Sequence, residues 1–140
     1  MKPAAFVDTD IVLDLLARRE PFYDAAARLF SRAETGTISL FVSSLTFANL
    51  FYLLRKQVSA LHAQDVLRTF KQLVTVASVD GAIVEQALGA GFTDFEDALQ
   101  YFSALSVGCT DLITRNGRHY RKSEISIHTA ETYCAKKQDF

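Results

Sequence analysis

Short apolar runs alternate along the chain with longer stretches in which apolar residues recur every three or four positions. The short runs predict strands at residues 5–7, 37–42, 74–79, 111–114 and 125–127. The periodic stretches predict helices at about residues 10–18, 21–34, 44–57, 60–72, 81–88 and 94–106, with a last helix capped by Thr129. Strands that alternate with helices are typical of an α/β fold with a mostly parallel central sheet.

A carboxylate, Asp8, directly follows the first predicted strand, and Thr9 or Asp10 is a suitable cap for the helix that comes next. Open parallel sheets bind their ligands at the carboxyl ends of the strands. Asp8 is therefore a candidate metal ligand. The alternative is that Asp8 only caps the following helix, which is a common role for an aspartate in this position.

A second acidic cluster introduces the helix predicted at 94–106. Asp94 and Asp97 are three residues apart in its first turn, so they share one face of the helix. Asp97 precedes an apolar face and is expected to point inward, whereas Asp94 and Glu96 also fit as a cap and a first-turn acid. Carboxylates gathered in an apolar site repel one another unless a cation neutralises them, and Mg²⁺ or Mn²⁺ suits oxygen ligands.

Composition places the chain among globular proteins and restricts its partners. Its 140 residues, 49% of them hydrophobic, suit a single domain over residues 1–140. A net charge of −1 means that any contact with nucleic acid requires a local basic patch. Two cysteines without metal-ligand spacing favour free thiols in a reducing cytoplasm. Without a signal-peptide pattern or an apolar stretch of spanning length, we expect a cytoplasmic protein with no membrane partner.

Basic residues follow the fourth predicted strand, at Arg115, Arg118, Arg121 and Lys122. At the mouth of an acidic site they would guide a phosphodiester that the carboxylates otherwise repel. The alternative is a solvated loop with no binding role.

The helix predicted at 44–57 is apolar around most of its circumference, with Asn49 inside it. Such a helix either lies at the centre of the core or presents a surface to a partner, which motivates the hypothesis of a homodimer. Aromatic residues at helical spacing are interpreted as core or dimer-interface residues rather than as platforms for base stacking; they are Phe47, Phe51, Tyr52, Phe95, Tyr101 and Phe102.

Four segments of the chain together resemble the successive landmarks of PIN domains, especially the small stand-alone kind that serves as the toxin of bacterial VapBC toxin–antitoxin pairs. The segments are FVDTDIVLDLL, SSLTFANLFYLLRK, DFEDALQYFSALSVGC and DLITRN. The resemblance implies a three-layer, flavodoxin-like α/β/α sandwich. It also implies a Mg²⁺- or Mn²⁺-dependent ribonuclease site that acts on RNA, a homodimer, and an antitoxin partner that usually occludes the site.

By this resemblance, Asp8 matches the first acidic ligand of the family and Asp97 matches the third. Asn49 stands where the second acid normally falls, and Asn116 and His119 stand where the fourth is expected. An amide oxygen can still coordinate an ion or orient water, but each such replacement removes one negative charge from the site. One ion held by the remaining acids is therefore expected rather than two.

The predicted site combines these residues with neighbouring groups. Thr9 and Ser43 would orient the carboxylates and water, and Arg115, Arg118 and His119 would contact the phosphodiester. His119 also suits an acid–base role. The residues predicted to take part in catalysis are Asp8, Asp97, Asp94, Asn49 and Asn116, with Asp8 and Asp97 as the metal ligands.

Two rival functions stay open at this point. A degenerate PIN domain would keep the fold and bind RNA or protein without turnover, because acids of the family pattern are replaced. A flavodoxin-like signalling domain would use Asp8 and Asp10 as a phosphoacceptor pocket. That function calls for a lysine after a late strand, where this chain has Arg115.

Overall fold

The structure of the protein, a computed structural model, describes residues 2–120 and 123–136. Its strands are β1 (Ala4–Val7), β2 (Ser39–Ser43), β3 (Thr75–Ala77), β4 (Asp111–Ile113) and β5 (Ser126–His128). Its helices are α1 (Thr9–Leu16), α2 (Tyr23–Glu34), α3 (Ser44–Leu54), α4 (Ala60–Lys71), α5 (Gly81–Gly89), α6 (Phe95–Ser106) and α7 (Ala130–Lys136). Each strand and helix predicted from the apolar pattern is present.

The described strands form one sheet in the order β3-β2-β1-β4-β5, and every neighbouring pair is parallel. The chain builds β1, β2 and β3 outward in one direction and then crosses back to place β4 on the other side of β1. This reversal leaves a crevice at the carboxyl ends of β1 and β4, which is the usual ligand position in an open α/β sheet.

Alternating side chains of the strands form two separate cores. Ala5 and Val7 of β1 are buried with residues of α1, α2, α3, α4 and α7 on one face of the sheet. Phe6 is buried on the opposite face with residues of α6, and α5 packs against α6. Because successive strand residues point to opposite faces, the predicted three-layer α/β/α sandwich is confirmed.

Some element boundaries differ from the predictions. Helix α1 begins one residue early and is capped by Asp8, whose Oδ1 accepts from the Thr9 amide at 2.7 Å. Pro21 lies in a turn, and α2 begins two residues after it at Tyr23. The segment 115–120, predicted as a loop, contains a short 3₁₀ helix over Gly117–Tyr120.

Helix α3 is less buried than its apolar sequence suggests. Thr46, Leu50 and Leu54 face the core, while Tyr52 is 70% exposed and Leu53 is 37% exposed. An apolar helix can therefore present large side chains outward, where a partner or ligand can cover them.

Both cysteines, Cys109 and Cys134, are buried free thiols. Within residues 2–120 and 123–136, no helix has the length and apolar character that crossing a membrane requires.

Candidate active site

An open cavity of about 420 Å³ lies at the carboxyl ends of the central strands. The helices that begin there contribute most of its polar walls. The lining residues are Asp8, Thr9, Asp10, Asn49, Tyr52, Leu53, Asp94, Glu96, Asp97, Asn116 and His119. The structure therefore brings together seven of the predicted site residues, Asp8, Thr9, Asn49, Asp94, Asp97, Asn116 and His119.

Asp8 is 5% exposed, and it both caps the following helix and lines the cavity. Its Oδ1 caps α1, and its Oδ2 accepts a hydrogen bond from the Thr114 hydroxyl at 2.8 Å. Thr114 directly follows β4, the strand beside β1. Capping therefore orients the carboxylate without removing it from the cavity.

Asp97 points inward, as its apolar surroundings in the sequence predict, and is 8% exposed. Asp94 caps α6 by accepting from the Asp97 amide at 3.1 Å, which fixes the start of the helix. The Oδ2 of Asp97 lies 2.8 Å from Nδ1 of His119. His119, which stands where the family's fourth acid is expected, therefore directly contacts Asp97, a predicted metal ligand.

Tyr120 connects the two predicted metal ligands. Its hydroxyl oxygen lies 3.4 Å from Oδ2 of Asp8 and 3.3 Å from Oδ1 of Asp97. Burial, followed by the charges of Asp8 and Asp97, raises the pKa of this phenol above its ordinary value, so Tyr120 remains a hydrogen-bond donor. A hydroxyl has one proton to donate, so it can serve only one of the carboxylates at a time.

The carboxylates of the cavity have perturbed proton affinities. Burial raises the pKa of Asp8 to about 6, with smaller contributions from the charges of Asp10 and Asp97, against the hydrogen bond from Thr114. Burial, and then the charge of Asp94, raises the pKa of Asp97, while His119 opposes the rise. Burial and mutual repulsion thus disfavour the charged forms of these carboxylates, and a bound cation would offset both effects.

Two acids in the cavity were not among the residues predicted for the nuclease site, although Asp10 was named for the rival phosphoacceptor pocket. Glu96 accepts a hydrogen bond from the Asn49 amide at 2.8 Å, and burial followed by the charges of Asp94 and Asp97 raises its pKa. Asp10 accepts from the Asn116 amide at 2.8 Å. Both lie in the first turn of a helix that begins at the sheet edge. Helices α1 and α6 both begin at the cavity, and this shared starting point is the signal that could have identified Asp10 and Glu96.

A buried polar network lies beneath the carboxylates. The hydroxyls of Thr9 and Thr46 are 2.8 Å apart, and the Gln100 amide lies 3.0 Å from the first and 3.1 Å from the second. Thr9 therefore lines the cavity and is also hydrogen-bonded to the buried residues beneath it. Gln100 is three residues beyond Asp97 on the inward face of α6, and this spacing was the available sequence signal.

Three predicted site residues lie elsewhere. Ser43 is buried and caps α3 by accepting from the Leu45 amide at 2.9 Å. Arg115 binds both carboxylate oxygens of buried Asp14, at 2.9 Å and 3.1 Å, and its guanidinium lies over the Phe22 ring. Exposed Arg118 lies in the 3₁₀ helix and does not line the cavity. The role predicted for Ser43 in orienting carboxylates and water stays a prediction, as do the predicted contacts of Arg115 and Arg118 with a phosphodiester.

The other two basic positions, Arg121 and Lys122, lie outside the described residues.

The donor chemistry of the cavity fits a hard divalent cation. Carboxylates of Asp8, Asp10, Asp94, Glu96 and Asp97 line it, together with two amides. In the part of the chain that the structure describes, no three His, Cys, Asp or Glu side chains are close enough together to hold an ion by themselves. An ion there would retain water or take oxygens from a bound phosphate, as Mg²⁺ commonly does.

Comparison with known proteins agrees with this architecture. The PIN domain family matches residues 4–118. Ribonuclease VapC1 of Aquifex aeolicus (strain VF5) is 25% identical over 139 residues, covering 94% of this chain and 93% of that protein.

Two solved structures show the same fold. A toxin–antitoxin complex from Klebsiella pneumoniae has a TM-score of 0.67 at 20% identity, over 90% of this chain and 97% of the other. Mycobacterium tuberculosis VapC20, described as a sarcin-ricin loop cleaving toxin, has a TM-score of 0.62 at 19% identity, over 77% and 86%. The family match extends from β1 into the 3₁₀ helix and so includes both strands that meet at the cavity. The chain belongs to the PIN domain family.

Proposed function

We propose that this protein is a divalent-metal-dependent endoribonuclease that hydrolyses phosphodiester bonds in single-stranded or loop RNA. The observation that carries the proposal is the meeting of Asp8 and Asp97, 89 residues apart in the chain, on one cavity and beside one tyrosine hydroxyl. Carboxylates with raised pKa values at a sheet switch point are the expected form of a metal-assisted hydrolytic site.

Asp8 and Asp97 are proposed to hold Mg²⁺ or Mn²⁺. When bound, such an ion would supply a water of lowered pKa and would stabilise charge on the phosphoryl group. Thr114 and Tyr120 orient the two carboxylates by hydrogen bonds. His119, which is 39% exposed in its side chain, can place an imidazole N–H toward a phosphate oxygen from beside Asp97.

The amides of the site have a separate proposed role. Asn49 and Asn116 each donate to a carboxylate, Glu96 and Asp10 respectively. This leaves their carbonyl oxygens to accept from water or from the RNA.

We further propose that the protein is the toxin of a type II toxin–antitoxin pair. Two of the similar proteins carry names that describe ribonuclease activity or cleavage of a sarcin-ricin loop, and another was solved as a toxin–antitoxin complex. The exposed apolar side chains of α3 are available to an antitoxin or to a second copy of the chain in a homodimer.

The second candidate function is a degenerate PIN domain that binds RNA or protein without cleaving it. The observation that favours it is the replacement of carboxylates by Asn49 and by Asn116 and His119. Fewer acidic ligands weaken the affinity of an oxygen site for a divalent ion.

The deciding experiment is a calorimetric titration with Mn²⁺, followed by RNA cleavage in the same buffer. Wild type is compared with Asp8→Asn and with Asp65→Asn, a matched change at an exposed carboxylate of α4. If the protein is a nuclease, wild type and Asp65→Asn should bind Mn²⁺ saturably and cleave RNA only with the metal. Asp8→Asn should lose both the binding and the cleavage. Circular dichroism checks that each variant is folded.

The same titration distinguishes the alternative function. If wild type binds no Mn²⁺ at millimolar concentration and leaves RNA intact, the nuclease is excluded and the binding module is favoured. Cleavage that is equal in Asp8→Asn and wild type would remove Asp8 from the site.

A further inference from the structure

Helix α3 presents an aromatic side chain at the rim of the acidic cavity. Asn49, Tyr52 and Leu53 all line that cavity, which places them on one face of the helix at spacings of three and four residues. Asn49 reaches across to Glu96 on α6. Tyr52 therefore lies one helical turn from a residue that contacts the carboxylate cluster.

The ring of Tyr52 is supported from the side and open to solvent. Its centroid lies 5.8 Å from that of Phe51, with the ring planes at 74°. Arg55, one turn further along, places its guanidinium carbon 5.8 Å from the Phe51 centroid. Tyr52 nevertheless remains 70% exposed, so its surface is available to a flat, apolar ligand.

The electrostatics of the cavity restrict how an RNA strand can be held there. Among the residues that the structure describes, five carboxylates line the cavity, and they repel phosphate. The nearby Arg115 is bound to Asp14 and lies over Phe22, so its charge is already partnered. Stacking of a base on an aromatic ring does not depend on phosphate charge and strengthens binding by about 5- to 150-fold per base.

We propose that Tyr52 stacks against an unpaired nucleobase next to the scissile phosphate and so positions single-stranded RNA in the acidic cavity. The inference rests on the proposed function and assigns to Tyr52 a role in substrate binding and positioning. It differs from the interpretation of Tyr52 as a core residue, because the ring is exposed on the cavity wall, and it is an alternative to a homodimer contact at the same ring.

The variants Tyr52→Ala and Tyr52→Phe test the proposal, with Leu61→Ala as a control at a 75%-exposed residue on α4. On a short single-stranded RNA, Tyr52→Ala should raise KM by about 5- to 150-fold while kcat stays within about twofold. Tyr52→Phe should restore KM, since it keeps the aromatic face, and Leu61→Ala should match wild type. Equal KM values for Tyr52→Ala and wild type would overturn the proposal.

The RNA side of the contact is tested with oligonucleotides that carry one abasic residue at successive positions. The affinity of wild type for the RNA should fall when the abasic residue is at one particular position. The affinity of Tyr52→Ala should not change when the abasic residue is at that position. If wild type binds all the abasic RNAs with the same affinity, no base stacks on Tyr52. If, in addition, Tyr52→Ala changes the sedimentation coefficient, the residue is a contact between copies of the chain.

The outcomes separate this proposal from the nuclease itself. Binding of the same oligonucleotides is also measured by fluorescence anisotropy in EDTA, where no metal-dependent cleavage can occur. Position-specific binding that requires Tyr52, without cleavage in Mn²⁺, supports the stacking contact and contradicts the nuclease. Cleavage that requires Asp8 but is indifferent to Tyr52 supports the nuclease and overturns the stacking contact. No RNA binding by wild type overturns the stacking contact.

Discussion

Thr114 donates a hydrogen bond to Oδ2 of Asp8 over 2.8 Å, although the two residues are 106 positions apart in the chain. Each residue directly follows a strand, and the two strands, β1 and β4, are neighbours in the sheet. The hydrogen bond lowers the pKa of a carboxyl group that burial nevertheless raises to about 6. Asp8 is thus held in one orientation in surroundings that disfavour its charge.

The raised pKa of Asp8 predicts that folding stability falls as the pH rises. The folded-state pKa of about 6 exceeds the ordinary value of 3.8, so the folded state binds the proton more tightly. The resulting stabilisation is fully present below pH 3.8 and is lost as the pH rises through 6. It amounts to about 3 kcal/mol over this interval.

Asp8→Asn should remove this dependence, because an amide does not titrate. As the pH rises from 4 to 8, the unfolding free energy of wild type should therefore fall by about 2.4 kcal/mol relative to that of the variant. Urea denaturation in EDTA at both pH values measures the difference, with Asp65→Asn as the exposed control. If the difference in unfolding free energy between wild type and Asp8→Asn is the same at pH 4 and pH 8, the pKa of Asp8 is not raised.

Asn49→Asp should place a carboxylate beside Glu96, because the Asn49 amide nitrogen lies 2.8 Å from a Glu96 oxygen. Without divalent ions the two charges repel, and Tm should fall by several degrees, which corresponds to about 1 to 2 kcal/mol. With Mn²⁺ present, the added ligand charge should make the ion-induced rise in Tm larger than in wild type.

Thermal denaturation with EDTA and with millimolar Mn²⁺ tests this prediction, and Asn49→Ala separates the added charge from the lost hydrogen bond. If Mn²⁺ raises the Tm of Asn49→Asp no more than that of Asn49→Ala, position 49 contributes nothing to cation binding.

Arg115→Ala should destabilise the protein more than it impairs RNA binding. The substitution leaves the fully buried Asp14 carboxylate with only Arg19, 3.1 Å away, as its ion-pair partner among the described residues. Unpairing a buried charge typically costs 3 to 5 kcal/mol, and the remaining arginine should limit the loss to about 2 kcal/mol. Urea denaturation measures this loss, and KM for RNA, corrected for the folded fraction, should stay near the wild-type value.

Arg118→Ala is the matched control for Arg115→Ala, because Arg118 is an exposed arginine in the same segment and should leave stability unchanged. An Arg115→Ala protein with wild-type stability and a raised KM would instead support the substrate contact predicted from the sequence.

The sequence by itself determined the order of strands and helices and the capping of some helices, while the starts of α1 and α2 differ from their predictions by one and two residues. Those features depend on neighbours within a few positions, such as the apolar alternation of β1 and the capping of α6 by Asp94. It also placed Asp8 and Asp97 at the end of a strand and the start of a helix, and both line the cavity. The resemblance to PIN domains then followed from the spacing of these landmarks.

Only the tertiary structure decided which polar side chains share the cavity. Asn49 contacts Glu96 across 47 positions of sequence, and Arg115 binds Asp14 across 101. Neither pairing is encoded by local spacing, because it depends on how helices from distant parts of the chain pack around the sheet. Helix packing likewise leaves Tyr52 exposed at the cavity rim, whereas the apolar sequence of its helix left open whether this face lies in the core or on a partner surface.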